Sequence, residues 1–408
     1  MKKLKTIVVP VIAAGLVLSL LAGCGNKTEE PTPVDPAPAP AESKTEAALT
    51  DEEIAAAVAA LIDDIYVQKR TENTDEQCAA AKAAWDALTD AQKELVEGID
   101  ASPDYFGLDT GDASKDDPLN GDEIGKKELL VVSFGTSYND SRVEDIKGIE
   151  DALKTAFPEW SVRRAFTAQI IINHIQARDG IKIDNMDQAL DRAVANGVET
   201  LVIQPTHLMH GAEYDELMDA VENYKDKIAT IVVAEPLLGP VGQSASDINE
   251  DKTNVSRIVV EQTAVDAGYA SPAEAAADGV AFVFMGHGTS HNAKISYTQM
   301  QTVMDNLGYT NAFVGTVEGE PEETSCEAVI EAVKAAGYKK VILRPLMVVA
   351  GDHANNDMAG AEEDSWLSMF EATGDFESVE PQITGMGSVS AIQDIYIAHA
   401  KAAIESLN

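Results

Sequence analysis

From Leu129 onward the apolar residues come in short unbroken runs, separated by stretches with helical spacing. Leu129–Phe134, Ser161–Thr167 and Thr200–Gln204 read as strands, with helices over Val143–Ala156 and up to Asn196 between them. Val280–Met285, Ala312–Val317 and Val341–Val349 repeat the pattern. Such runs suit strands buried on both faces, and their alternation with helices predicts an α/β protein with a parallel sheet. The later runs lead into polar groups: His287 within Gly286-His287-Gly288, then Glu318, then His353 after Ala350-Gly351-Asp352. Residues just past the strand ends of a parallel sheet gather on one edge, where ligands bind. Two imidazoles and a carboxylate there predict a divalent metal site with open positions.

The pattern is duplicated. Leu130 to Ser137 and Phe282 to Ser290 are each an apolar strand closed by Gly-Thr-Ser, as Gly135-Thr136-Ser137 and Gly288-Thr289-Ser290. Leu190 to Gly211 matches Ile330 to Gly351 at a constant offset of 140, pairing Gly197 with Gly337, Pro205 with Pro345 and Gly211 with Gly351. At that offset Glu213 falls opposite His353. The expectation is two α/β halves, 127–270 and 271–408, with the ligand between them, since domain interfaces favour ligand sites.

The first part of the chain is different. Residues 1–23 have the order of a secretory signal: Lys2, Lys3 and Lys5, an apolar stretch from Ile7 to Leu21, then Leu21-Ala22-Gly23-Cys24. This fits a bacterial lipobox, with Cys24 as the lipidated residue. Residues 24–47 are rich in Pro, Ala, Glu and Thr and read as a disordered tether. A small helical module follows over 48–100, opening at the N-cap Thr50 with Ile54, Val58, Leu61 and Ile65 at helical spacing. It resembles helical modules of Gram-positive surface proteins, and a spacer or docking role is expected. Residues 101–126, polar with Gly, Asp and Pro throughout, read as a linker. The expected location is extracytoplasmic, with the body lipid-anchored to the cell membrane. Cys78 and Cys326 lie in different predicted units and read as free thiols.

Composition narrows the function. The chain carries 69 acidic and 30 basic residues in 408, a formal charge of -39, which excludes a nucleic-acid binder. It has no Walker A loop, G-x-G-x-x-G, G-x-S-x-G, C-x-x-C or H-E-x-x-H. Seven histidines remain. His399 reads as structural, and His174 as a helix cap or a cleft residue. His207 and His210 follow a strand on the ligand edge, and His291 either assists His287 or faces water. Neutral imidazole can both hold a dication and accept a proton near neutral pH, the two needs of inserting a metal into a tetrapyrrole. Loop N–H and hydroxyl groups of the Gly-Thr-Ser turns could bind the macrocycle's carboxylates.

At these residues the chain resembles the anaerobic sirohydrochlorin cobaltochelatases of the class II chelatase superfamily. The resemblance rests on Leu129 to Ser137, Arg164-Ala-Phe-Thr167, Arg178-Asp-Gly-Ile181, His207 to Tyr214, Phe284 to Gly288, Val317 to Glu322, Pro345 to Ala354, Asn356 to Met358 and Asp364 to Trp366. It implies two flavodoxin-like halves with the site in the cleft. It implies His287 as proton acceptor and His287, Glu318 and His353 as metal ligands, with Glu213 facing metal or substrate. The implied reaction is insertion of Co2+ into sirohydrochlorin without a nucleotide. Fe2+ or Ni2+ would accept the same donors. His207 and the two Gly-Thr-Ser turns are candidate substrate contacts, and homo-oligomerisation stays open. A tethered two-half protein is also what an uptake lipoprotein for haem, another tetrapyrrole or metal looks like, and the helical module alone would fit a structural surface protein.

Overall fold

The computed structural model describes residues 49–107, 110–122 and 124–407. The signal, Cys24 and the tether lie outside them. The body contains two four-stranded, all-parallel sheets. The first has β1 (Lys127–Ser133), β2 (Ser161–Phe166), β3 (Thr200–Pro205) and β4 (Thr230–Val233) in the order β2-β1-β3-β4. The second has β5 (Val280–Gly286), β6 (Ala312–Thr316), β7 (Lys340–Pro345) and β8 (Ser378–Pro381) in the order β6-β5-β7-β8. Both show the flavodoxin order short of its last strand. The duplication extends to register: Val132 lies beside Pro205 as Met285 lies beside Pro345.

Helices cover both faces of each sheet, which is why the strands are apolar throughout. In β1, Leu129 and Val131 face one core cluster and Leu130 and Val132 another. In β5, Phe282 and Phe284 face the first of these, while Ala281, Val283 and Met285 face a cluster with Trp366 and Phe370. Each fully buried large side chain of this kind contributes about 1.5–3 kcal/mol of transfer free energy.

Two expectations need correction. The boundary at 270/271 separates the sheets but not the packed lobes. The helix Glu250–Asp266, which follows β4, packs on Ile295–Asn306 of the second half. The final helix, Ser390–Glu405, packs on β3 and on Lys147–Ala156 of the first half. Tyr396 seals that crossing, fully buried, with its Oη donating to the Thr206 carbonyl at 2.9 Å. The last helix of each half thus packs against elements of the other.

The second correction concerns 101–126, which is not a free linker. The Asp116 side chain is fully buried and holds two buried guanidiniums, at 2.6 Å to Arg142 Nε and 2.7 and 2.8 Å to Arg164. Arg164 also makes two 2.7 Å bonds to Glu150. Burial would raise the Asp116 carboxyl, but Arg164 and Arg142 hold it below its ordinary value. Main-chain carbonyls of the same segment accept from Arg163, with Leu119 O at 2.7 Å. Buried arginines need acceptors, and this polar segment supplies them.

The helical module comprises Asp51–Asp63, Thr74–Asp86 and the short Asp90–Lys93, with capping boxes at Thr50/Glu53 and Thr89/Gln92. Its core of Ile62, Ile65, Trp85 and Phe106 includes Ala177 from the helix Gln169–Asp179 of the first half. Asn173 of that helix donates to Ile65 O at 2.8 Å, and Gln176 to Asp75 at 2.7 Å. The module is docked, not merely strung along the chain. Cys78 and Cys326 are free and buried, and burial pushes their thiols up to about 11 and about 12.

Candidate active site

The carboxyl ends of both sheets open onto one cavity of about 1160 Å³. His287 and Gly288 follow β5, Glu318 follows β6 and His353 follows β7, while Gly135, Thr136 and Ser137 follow β1 and His207 follows β3. All of these residues line the cavity, as do Glu213, Thr289 and Ser290. Its apolar wall includes Ile170, Met347, Val348 and Phe134, the last 48% exposed. A large aromatic left uncovered in a cleft marks a ligand surface.

The two key imidazoles meet. His287 and His353 have ring centroids 4.5 Å apart with planes at 84°. His287 Nδ1 lies 2.8 Å from Gly288 O, and His353 Nδ1 lies 2.7 Å from Asp357 Oδ2. A carbonyl and a carboxylate only accept, so both Nδ1 atoms carry the proton. Each ring therefore keeps its Nε2 lone pair free when neutral. The carboxylate on His353 also fixes the ring's orientation.

Glu318 is next to this pair but not gathered into it. Its backbone N–H donates to His287 O at 2.9 Å, and its exposed carboxylate has no partner among the described residues. Among the described residues no three His, Cys, Asp or Glu side chains are close enough together to hold a metal ion. What the structure assembles is a histidine pair with a nearby unpaired carboxylate.

The turns are built for close approach. Gly135 and Gly288 have φ of 104° and 91°, where side chains are strained. A Cβ on Gly288 would lie 2.7 Å from Glu318 Cβ, and one on Gly135 2.6 Å from the Phe166 ring. Gly288 N–H donates to Tyr297 Oη at 3.1 Å, so the phenol reads the turn's backbone. Burial pushes Tyr297 up to about 12. Thr136 is buried, and its carbonyl accepts from Arg142 at 3.2 Å.

The remaining histidines separate by role. His207 has both ring nitrogens buried without a partner, and burial pushes it down to about 4, so it is neutral at pH 7. His174 also lines the cavity and is pushed by burial down to about 3. His210 does not line it; it bonds Glu235 at 2.7 Å and stacks on Tyr214. His291 accepts from Ala293 N–H at Nδ1 and pairs through Nε2 with Asp215 of the other half at 3.3 Å. His399 is structural, held between Glu235 O and Asp251. Sequence reasoning missed Asp357, although its i+4 spacing from His353 on one helical turn was a usable signal. It also missed Tyr297 and Tyr105, for which no sequence signal existed.

A duplicated parallel α/β body with paired imidazoles on the strand-end edge of one cleft defines a two-lobed metal-handling protein. Residues 127–405 match the family model "Cobalt chelatase (CbiK)". The chain is 35% identical over 279 residues to the sirohydrochlorin cobaltochelatase of Salmonella typhimurium, covering 68% of this chain and 97% of that protein. It is 29% identical over 285 residues to the sirohydrochlorin cobaltochelatase CbiKC of Nitratidesulfovibrio vulgaris, covering 69% and 92%. The chain belongs to the CbiK cobalt chelatase family. Among solved structures, SirB from Bacillus subtilis with Fe3+ is similar at 14% identity and a TM-score of 0.46, over 69% of this chain and 98% of that one. The helical module lies wholly before the residues matched to the family.

Proposed function

We propose that this protein inserts Co2+ into sirohydrochlorin, with His287 as the proton acceptor. The observation that carries the reading is the crossed His287–His353 pair, each ring with Nδ1 anchored and Nε2 free. The names of the two relatives support the substrate. Metal insertion must remove two pyrrole protons while a dication is held loosely enough to be released. A neutral imidazole serves either need, and two adjacent ones serve both. His287 takes the two pyrrole protons in turn at Nε2, passing the first to solvent through the open cavity before it accepts the second. The resulting imidazolium stays bonded to Gly288 O through Nδ1–H. His353 delivers the metal, and Glu318, unpaired beside His287, completes the donor set by turning toward the pair as the dication arrives. Glu213, His207 and the turns at Gly135-Thr136-Ser137 and Gly288-Thr289-Ser290 hold the macrocycle against the apolar wall. Fe2+ and Ni2+ suit the same donors.

The lipobox at Cys24 supports an extracytoplasmic, membrane-tethered location for this activity. No helix among the described residues is long and apolar enough to cross a membrane.

Anaerobic insertion of Co2+ into sirohydrochlorin, followed by absorbance, tests the reading. Wild type should turn over many times, and His287→Ala should lose the activity. A spectral change that stops at one equivalent of protein would overturn catalysis and favour a tetrapyrrole-binding lipoprotein.

A further inference from the structure

The family match begins at residue 127, yet the cavity is not closed by matched residues alone. Tyr66, Asp100, Ser102, Asp104 and Tyr105, all from the helical module and the segment leaving it, line the same cavity as His287 and His353. The module reaches far enough that burial and the charges of Asp100 and of Asp352, in the second half, push the Tyr66 phenol up.

At the seam between module and first half, polar atoms are left unpaired. Tyr105 Oη, Thr110 Oγ1 and His174 Nε2 are all buried without a hydrogen-bond partner, and all three residues line the cavity. Tyr105 lies flat on His174, ring centroids 4.4 Å apart and planes at 23°, and Phe106 packs edge-on against the same imidazole at 5.8 Å. Buried polar groups in a folded protein are normally satisfied, so orphans clustered on a cavity wall mark where a ligand supplies the missing partner. Their protonation state defines the ligand. Burial keeps the phenol protonated and His174 neutral, so the phenol offers an O–H. Arg178, one helical turn beyond His174, is the only lysine or arginine among the described lining residues. Asp179 balances its charge at 2.8 and 2.9 Å, while its Nη2 also donates to Ser137 O at 2.6 Å. The corner thus offers neutral donors beside a guanidinium, in a cavity otherwise rich in carboxylates.

We propose that the helical module is part of the macrocycle's seat, its Tyr105 hydroxyl together with His174 and Arg178 forming a subsite for one peripheral carboxylate of the tetrapyrrole. This rests on the chelatase reading and adds to it a substrate-positioning residue from outside the family-matched region.

The test is Tyr105→Phe in the full chain, which removes the hydroxyl and keeps the ring on His174. Binding of metal-free sirohydrochlorin, titrated anaerobically by absorbance, should weaken about tenfold, the worth of one good hydrogen bond to a charged group. The KM for the tetrapyrrole should rise with it, with little change in kcat or in the KM for Co2+. A macrocycle with its carboxylates esterified should bind wild type and Tyr105→Phe alike. Equal affinity of the two proteins for the free acid, with melting temperatures matched, would overturn the subsite while leaving the chelatase reading intact. If wild type neither binds nor turns over sirohydrochlorin, the chelatase reading itself fails and the subsite with it.

Discussion

Asp145 of the first half accepts the Ala350 N–H of the second at 2.9 Å, while Ser141, one helical turn away, donates to the Ala350 carbonyl at 2.5 Å. The two peptide units flanking Ala350, at the root of the His353 loop, are therefore both held from the first half. The carboxylate is buried, and burial pushes Asp145 up to about 7. For an acid with a raised folded value, stability is full below the unfolded value of 3.8 and is lost as pH rises through about 7. Asp145→Asn keeps the shape without the titration. Its stability relative to wild type, followed by urea unfolding at several pH values, should grow between pH 4 and 7 and level off above, by roughly 2–4 kcal/mol at most. A difference that does not vary with pH would show that Asp145 does not titrate there.

His353 depends on Asp357. Asp357→Ala removes the acceptor that fixes Nδ1–H, while Asp357→Asn keeps a weaker one. Loss of such a partner costs about 10–100-fold in metal affinity or turnover. Alanine should fall in that range and asparagine should recover part of it, measured as Co2+ dependence of the insertion rate.

The Gly288 turn tolerates no side chain. With φ of 91° and Glu318 Cβ 2.7 Å from a new methyl, Gly288→Ala must distort the turn that carries His287 or push back Glu318, which follows β6 beside it. A destabilisation of about 1–3 kcal/mol in denaturant unfolding is expected, with a larger proportional loss of insertion activity.

Asp116 should matter as much as a core residue. Asp116→Ala leaves two buried guanidiniums with only the Glu150 carboxylate, on Arg164, to balance them, and breaking one side of a buried ion cluster costs about 3–5 kcal/mol. Denaturant unfolding should show that loss, and limited proteolysis should open the 110–122 segment first.

The parts of the molecule legible in the sequence are those that repeat locally. Apolar runs gave six of the eight strands but not the short edge strands Thr230–Val233 and Ser378–Pro381; Gly and Pro at a shared offset gave the duplication, and the strand-end rule brought His287, His353, His207 and both Gly-Thr-Ser turns to one cavity. What the pattern could not give depends on partners far along the chain. Asp116 reads as loop until Arg142 and Arg164 are folded around it. Tyr105 reads as spacer until His174, in a helix of the first half, lies beneath it. Glu318 shows the limit in the other direction: spacing brought it beside His287, but the direction of its carboxylate is set by side-chain rotation, which no spacing encodes.

The exchanged helices impose an order on synthesis. A chain emerges from its N-terminus and domains fold as units once their residues are available. Here the first sheet lacks its cover until the last segment, the 16 residues of Ser390–Glu405, has been made. The second lobe, whose borrowed helix Glu250–Asp266 is made before it, can therefore close first, and the lobe that is made first is the one that finishes last.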